Sequence, residues 1–85
     1  MKNLHWINVK DRLPDKNDKY LIIHTDITEQ YNMIDFAYFT KSYCNEINAN
    51  SFYFETNFGI KPVRNVTFWI DKKDIDVPKE VIIDG

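Results

Sequence analysis

YLIIHT, residues 20–25, is the stretch that decides the fold of this chain. It is a near-continuous run of apolar and β-branched residues, and such a run predicts a central strand covered on both faces. Polar, turn-forming segments enclose it, with KDRLPDKNDK (10–19) before it and DITEQYN (26–32) after it. Pro14 lacks a backbone N–H, and the Asp and Asn residues around it favour turns, so we expect a loop there.

Four more blocks with the composition of strands flank this run. They are HWINV (5–9), MIDFAYFTKSY (33–43), SFYFET (51–56) and VTFWI (66–70). The segment NFGIKPVRN (57–65) contains both Gly59 and Pro62, which interrupt strands. We therefore predict that it is a connection.

Alternation within the longest block predicts which side chains share a face. Ile34, Phe36 and Tyr38 alternate with Asp35 and Ala37, which is the pattern of a half-buried strand. A helical stripe is the competing interpretation. The density of aromatic and β-branched residues favours the strand.

Two shorter blocks alternate in the same way. Phe52 and Phe54 share one face of their strand, and Tyr53 lies on the other. In the first block, Ile7 and Val9 share one side. The Phe52 and Phe54 rings are candidates for the core or for a patch that faces another protein.

Together these blocks predict a mainly β fold, a curled antiparallel sheet of about four to five strands that buries its aromatic face. A β-rich α+β fold with one short helix, in 26–32 or 44–50, is the alternative. Residues 1–85 should form a single small domain, because a second core would have nothing left to bury. Residues 71–85 are charged and interrupted by Pro78, and we expect a variable tail or an edge strand there.

Aromatic side chains compensate for the small size of the core. The chain has six Phe, five Tyr and two Trp, and each buried ring removes about 150–250 Å² from water. Cys44 is the single cysteine, so no disulfide forms within the chain, which favours a reducing compartment. The start of the chain has no apolar run of signal-peptide length, and no run approaches the length of a membrane span. We expect a soluble, cytoplasmic protein.

Net charge disfavours a nucleic-acid-binding protein. The formal net charge is −2, and acids and bases are interleaved along the chain. A protein that binds nucleic acid concentrates Lys and Arg on one face.

Residues that carry chemistry are few and scattered. His5, His24 and Cys44 lack the paired spacing of zinc ligands, and nothing local ties His24 and Cys44 into an activated nucleophile. The acids of residues 71–76 lack the glycine turn and terminal Glu of a calcium loop. We expect no catalytic residue, no metal and no cofactor; an enzyme that uses His24 or Cys44 is the minor alternative.

Aromatic and acidic side chains beyond the needs of the core are candidates for a surface that contacts another protein. Tyrosine supplies contact area at low entropic cost, and so small a fold cannot bury every ring. The candidates are Tyr43, Tyr53, Glu55, Asp71, Asp74 and Asp76.

Short motifs near both ends of the chain carry a family resemblance. The opening motif contributes Trp6, Ile7, Val9, Arg12, Leu13 and Pro14, and the closing motif contributes Val66, Thr67 and Trp69. In these motifs the chain resembles domain-of-unknown-function family 551, whose members are small proteins common in phages and prophages. The resemblance covers about residues 6–70 and implies a small β-rich domain with no assigned activity. Phe68 departs from it, because the family often has His there.

From their chemistry alone, we expect the motif residues to stabilise the fold rather than to form a chemical site. Trp6 and Trp69 would be core rings on neighbouring strands, with Leu13 and Pro14 capping them. Arg12 would hydrogen-bond to carbonyls or pair with a nearby carboxylate.

We therefore expect a small non-catalytic protein-binding module of phage or mobile-element origin. Its partner is a host or phage protein, and a bacterial defence protein, such as a CRISPR effector or another immune nuclease, is the sharper expectation, inhibited by stoichiometric binding. A small-molecule domain that binds or sequesters a nucleotide-like ligand is the alternative. We expect no direct contact with nucleic acid or membrane. A homodimer is compatible with the sequence, because an edge strand at 80–83 would offer unpaired backbone groups.

Overall fold

One antiparallel sheet contains all the strands of the computed structural model, which describes residues 5–71 and residue 74. In space the strands lie in the order β1-β6-β2-β3-β4-β5, so that β6 lies between β1 and β2. No helix other than a single 3₁₀ position occurs in the part of the chain that the structure describes. The prediction of a mainly β, antiparallel fold is confirmed. The strands are β1 (Ile7–Asn8), β2 (Asp18–Asp26), β3 (Tyr31–Thr40), β4 (Ser51–Thr56), β5 (Gly59–Pro62) and β6 (Val66–Asp71).

Strand β2 is central, as its apolar run predicts, with β6 on one side and β3 on the other. Tyr20, Ile22 and His24 are buried on one face. Leu21 and Ile23 point to the opposite face and are only half-buried. Ile70, which lies opposite Leu21 on this face, is fully buried, so the second face of β2 is covered in part.

Register between the strands assembles the core from β2, β3, β4 and β6. Tyr20 lies opposite Ala37, Ile22 lies opposite Trp69, and Phe39 lies opposite Phe52. We call the face on which these side chains lie the core face, and the other the outer face. The buried cluster contains Tyr20, Ile22, Ala37, Phe39, Phe52 and Trp69, with Ile7, Val9, Phe54, Val63 and Val66 packed against it. Phe52 and Phe54, predicted to form either core or a protein-facing patch, lie in the core cluster or packed against it.

In β3 the buried face is the opposite of the one predicted. Ala37 and Phe39 are 1% exposed, whereas Ile34 is 61% and Phe36 is 48% exposed. The pairing of Ala37 with Tyr20 and of Phe39 with Phe52 explains this, because it turns the odd-numbered side chains of β3 toward the core. The even-numbered apolar set lies on the outer face.

Strand β5 corrects the prediction of a plain connection over residues 57–65. It pairs with β4 through the registers Glu55 with Ile60 and Tyr53 with Pro62. Gly59 begins it with φ +116°, at the place where hairpins commonly carry a glycine bulge. Val63 donates its N–H to the Phe52 carbonyl; by alternation, Pro62 then faces away from β4. Its missing N–H leaves one donor fewer on the edge of the sheet.

Turns replace the helix considered for 26–32 or 44–50. The Asp26 carboxylate accepts hydrogen bonds from the N–H groups of Thr28 and Glu29, and Gln30 donates to the Asp26 carbonyl. In the second segment, Cys44 and Ile47 exchange two backbone hydrogen bonds. The predicted tail or edge strand lies almost wholly outside the described residues, including segment 80–83.

Candidate functional site

Apolar side chains, two of them exposed and two half-buried, lie together on the outer face of β3 and β4. We call the set Ile34, Phe36, Tyr38 and Tyr53 the outer aromatic face. The ammonium group of Lys19 lies 5.6 Å from the ring centres of both Phe36 and Tyr38. Large apolar side chains in contiguous exposed patches are typical of interaction sites, whereas isolated ones are ordinary.

Tyr38 and Tyr53 form a stacked pair within this face. Their ring centres are 5.6 Å apart with 22° between the planes. Partial burial raises the pKa of Tyr53, and the neighbouring Cys44, Glu55 and Tyr38 add to this effect. The phenol therefore keeps its proton to higher pH than a free tyrosine, and Tyr53 lies on the same face of β4 as Glu55.

The structure separates the residues that the sequence nominates for one surface. Tyr53 and Glu55 lie on the outer face of β4, and Tyr43 is 67% exposed in the loop before Cys44. Asp71 lies in β6 opposite Tyr20, on the core face of the sheet. A single surface that joins the tyrosines to the 71–76 acids is thus wrong for Asp71, while Asp76 lies outside the described residues.

Sequence reasoning missed Ile34 and Phe36 as surface residues. The alternation that identified β3 gave both faces enough apolar character to be buried. Only the register of β3 with β2 and β4 determines which face is buried. That register cannot be read from the sequence of β3 alone.

The motif residues Arg12 and Trp69 meet in a groove next to the core. The indole N–H of Trp69 donates to the Arg12 carbonyl at 2.9 Å, and the Arg12 guanidinium lies 5.2 Å from the ring centre. The Tyr20 ring packs edge-on against Trp69 at 5.2 Å and its hydroxyl donates to the Lys16 carbonyl. These contacts tie the loop between β1 and β2 to β6.

Other motif residues correct parts of the prediction for this motif. Trp6 is only half-buried and is not in the core cluster; Ile7 takes the place opposite Trp69. Leu13 is 36% exposed, so only Pro14 is buried as a cap. The side chain of Arg12 stacks on an aromatic ring, an arrangement that was not predicted.

The groove beside Trp69 has a volume of about 600 Å³ and is rich in carboxylates. Burial raises the pKa of Tyr20, and Asp71, Asp18 and Asp15 raise it further. This electrostatic environment disfavours a phosphate, and hence a nucleotide, in that groove. Its charged lining residues are Arg12, Lys16, Asp15, Asp18, Asp71 and Asp74.

A second groove, of about 640 Å³, lies at the other end of the core face. We call it the His24 groove. His24 is 7% exposed and shares a 2.7 Å hydrogen bond between Nε2 and the Asp35 carboxylate. The His24 ring also contacts Phe54 edge-on at 5.7 Å. His24 is therefore a buried residue with a hydrogen-bonded ring.

Neither a metal cluster nor a histidine–cysteine pair emerges from these contacts. Within residues 5–71 and 74, no group of His, Cys, Asp and Glu side chains is arranged to hold a metal ion. The contacts of His24 are to Asp35 and Phe54, while Cys44 bridges to Ile47. No helix among the described residues is long and apolar enough to cross a membrane.

Comparison with known proteins identifies a family. The model of a family described as Protein of unknown function (DUF551) matches residues 5–73. Comparisons with curated proteins and with solved structures found no match.

Proposed function

Because the chain belongs to the DUF551 family of proteins of unknown function, we propose a function from its surface: it is a non-catalytic module that binds a partner protein through the outer aromatic face. The observation that carries the proposal is the exposure of Ile34 and Phe36, at 61% and 48%, on a sheet whose opposite face already holds the core.

Strand pairing makes this face continuous. Ile34 lies opposite Ile23, Phe36 lies opposite Leu21, and Tyr38 lies between Lys19 and Tyr53. Aromatic side chains at the centre of such a patch are frequent binding hot spots, because they exclude water over a large area at little entropic cost. A flat apolar partner surface would bury them together.

Charge at the edges of the face defines the partner further. Glu55 lies near Tyr53 on one side, and Lys19 covers Phe36 and Tyr38 on the other. A partner with an apolar strip and a basic side chain opposite Glu55 fits this arrangement. Complementary charges of this kind govern specificity and association rate more than affinity.

The finer form of the proposal is stoichiometric inhibition of a bacterial defence protein, such as a nuclease, by a phage or mobile-element protein. Nuclease grooves are basic, and Glu55 beside exposed rings suits such a groove. The alternative, binding of a nucleotide-like molecule, is disfavoured at the Trp69 groove by its carboxylates.

A capture experiment with matched variants tests the proposal. Tagged wild-type protein, Phe36→Ser and Phe58→Ser are incubated with bacterial lysate, and the eluates are compared by mass spectrometry. Phe58 is fully exposed in the β4–β5 turn, away from the outer aromatic face, and serves as the control for a lost surface ring.

We expect one protein in stoichiometric yield with wild type and Phe58→Ser, and its loss with Phe36→Ser. A protein captured equally by all three would contradict docking on this face. The finer form is tested by expressing the chain in bacteria that carry a defence system and measuring phage plating. Rescue of plating by wild type but not by Phe36→Ser supports it, and equal plating with and without the chain contradicts it.

A further inference from the structure

His24 combines burial with a polar ring at the wall of the His24 groove. The residue is 7% exposed, and its Nε2 lies 2.7 Å from a carboxylate oxygen of Asp35. Because an ionised carboxylate only accepts hydrogen bonds, Nε2 carries the proton of this contact. In the neutral imidazole the other ring nitrogen, Nδ1, then keeps its lone pair and is an acceptor. Asp35 therefore determines which polar group His24 offers to a ligand.

Nδ1 of His24 is reachable from the groove. Within residues 5–71 and 74, the ring hydrogen-bonds only to Asp35, and its contact with Phe54 is edge-on ring packing. No buried side-chain nitrogen or oxygen of the described residues lacks a hydrogen-bond partner, so Nδ1 is not enclosed by protein. His24 lines the groove, whereas Asp35 does not. The groove therefore holds an acceptor, on a nearly buried side chain, that a ligand can pair.

The charges around the groove balance among the described residues. Lys61 and Arg64 are the positive groups of its lining. The negative groups are Asp26, which also lines it, and Asp35, which is bonded to His24. These two positive and two negative charges leave no net charge to select an anion or a cation. A neutral ligand therefore suits the groove better than a charged one.

Apolar side chains supply much of the remaining wall. Met33, Phe54 and Val63 line the groove and are half-buried. The Phe54 ring lies edge-on to the His24 ring at 5.7 Å, so the acceptor lies beside an aromatic surface on which a further ring packs favourably. The volume of about 640 Å³ falls within the range of about 300–1,000 Å³ that is usual for pockets that bind small molecules.

We infer that the His24 groove binds a neutral aromatic molecule that carries an O–H or N–H donor, such as a phenol. The donor bonds to Nδ1 of His24, and the ring packs against Phe54 and Met33. Mostly apolar walls with a few placed polar groups are typical of pockets that bind small molecules. The same chemistry is present in a free phenol and in the tyrosine side chain of a peptide.

Nuclear magnetic resonance titration with three matched probes tests the hydrogen bond. p-Cresol has the donor, 4-methylanisole has it blocked by a methyl group, and toluene lacks the oxygen. We expect p-cresol to shift the signals of His24, Phe54 and Val63 and to bind about tenfold tighter than either of the others, because only p-cresol pairs the acceptor. Equal affinities for the three probes, or no shift in the groove with any of them, would overturn the inference.

Charged probes test the preference for a neutral ligand. 4-Methylbenzoate and 4-methylbenzylamine keep the ring of p-cresol and replace its hydroxyl with a negative and a positive group. We expect both to bind more weakly than p-cresol, and tighter binding of either would contradict the inference. The double variant Lys61→Gln, Arg64→Gln changes two exposed side chains of the groove. Its affinity for p-cresol should stay within about threefold of wild type, and a larger loss would show that charge holds the ligand.

The ¹⁵N signal of His24 Nδ1 reports the hydrogen bond directly in the wild-type protein. We expect the ring to be the Nε2–H tautomer, and we expect the Nδ1 signal to move when p-cresol is added but not when toluene is added. A proton on Nδ1 in the free protein, or an unmoved Nδ1 signal with p-cresol bound, would overturn the inference. This measurement does not depend on whether any variant folds.

Substitution of the two histidines gives a matched pair. His24→Phe removes the acceptor and should bind p-cresol no more tightly than toluene. His5→Phe changes an exposed histidine outside the groove and should keep the wild-type preference. A preference for p-cresol that survives in His24→Phe would contradict the site.

A peptide distinguishes the two sources of the phenol. Acetyl-Ala-Tyr-Ala-amide carries the same phenol as p-cresol on a neutral backbone. Tighter binding of the peptide than of p-cresol supports a tyrosine-bearing partner, and equal or weaker binding supports a free small molecule. Phe36→Ser should bind p-cresol as wild type does, which separates this site from the outer aromatic face.

Discussion

Trp69 and Arg12, which are far apart in sequence, contact each other in two ways. The Trp69 indole N–H donates to the Arg12 carbonyl at 2.9 Å, and the Arg12 guanidinium covers the same ring at 5.2 Å. This relationship joins β6 to the loop between β1 and β2 across 57 residues of chain. The backbone of Arg12 supplies the hydrogen bond and its side chain supplies only the stacking.

That division predicts unequal costs for two substitutions. Trp69→Phe should lower the free energy of unfolding by about 2–3 kcal/mol, because it leaves the Arg12 carbonyl unpaired and a gap beside Tyr20. Arg12→Ala should cost only about 0.5–1 kcal/mol, the size of a partly exposed cation–π contact. Urea denaturation of both variants measures the difference. An Arg12→Ala cost equal to that of Trp69→Phe would mean that the side chain, rather than the carbonyl, holds the loop.

The two faces of β3 should respond differently to the same truncation. Phe39→Ala should destabilise the fold by about 3–5 kcal/mol, because Phe39 is 1% exposed and packs on Tyr20 and Phe52. Phe36→Ala should change stability by no more than about 0.5 kcal/mol, as expected of a surface position. Thermal melts of both variants check this. A large loss with Phe36→Ala would show that the outer aromatic face is part of the folding core, and would weaken the proposed function.

Two tyrosines should make the fold sensitive to alkali. Burial raises the pKa of Tyr20, helped by Asp71, Asp18 and Asp15, and burial raises the pKa of Tyr53, helped by Cys44, Glu55 and Tyr38. A raised pKa in the folded state favours the protonated form, so this stability is fully present below the ordinary value of about 10. It is lost as the pH rises through the folded pKa values.

Circular dichroism and tyrosinate absorbance, followed together above neutral pH, test this expectation. Unfolding and late tyrosine ionisation should coincide in wild type. In Tyr53→Phe the unfolding should move to higher pH, because one group that favours the unfolded state in alkali has been removed. Titration of every tyrosine near pH 10 without loss of structure would show that neither phenol is coupled to folding.

Replacing Gly59 should lower stability because of its backbone conformation alone. Its φ is +116°, and a Cβ at this position would meet nothing within 4 Å. Gly59→Ala should therefore cost about 1–2 kcal/mol of conformational strain without any steric clash. Asn57→Ala, two residues earlier in the same turn, is the control and should be nearly neutral. A neutral Gly59→Ala would mean that the turn adopts another conformation readily.

Much of this architecture follows from local pattern. The apolar run of β2 and the alternation of Phe52 and Phe54 predict real strands, because period-two alternation is a property of each strand by itself. The central place of β2 also follows from its composition. The two motifs that contain Arg12 and Trp69 identify structurally important segments near both ends of the chain. They do not predict the hydrogen bond between these two residues.

What pattern could not predict depends on pairing. The exposure of Phe36 and the burial of Ala37 are set by the register of β3 with β2 and β4, and a shift of one residue would reverse both. The His24 groove forms only when β2, β4 and β5 come together. Because Gly59 and Pro62 are typical of loops, the sequence of β5 predicts a connection rather than a strand. Asp35 and His24 are eleven residues apart in sequence, and no local sequence pattern predicts that their side chains form a hydrogen bond.

Strand order has a consequence for how the protein is made. Strands β2 to β5 pair each with the next, whereas β6 follows all of them in sequence and inserts between β1 and β2. During translation the meander of β2 to β5 leaves the ribosome first, with the β2 backbone unpaired on one side. That period is when the chain is most able to pair with a neighbouring chain or a chaperone. Pulsed hydrogen exchange during refolding should protect amides in β3 and β4 before those in β6, since long-range pairing forms slowly; simultaneous protection would indicate that the six strands assemble in one step.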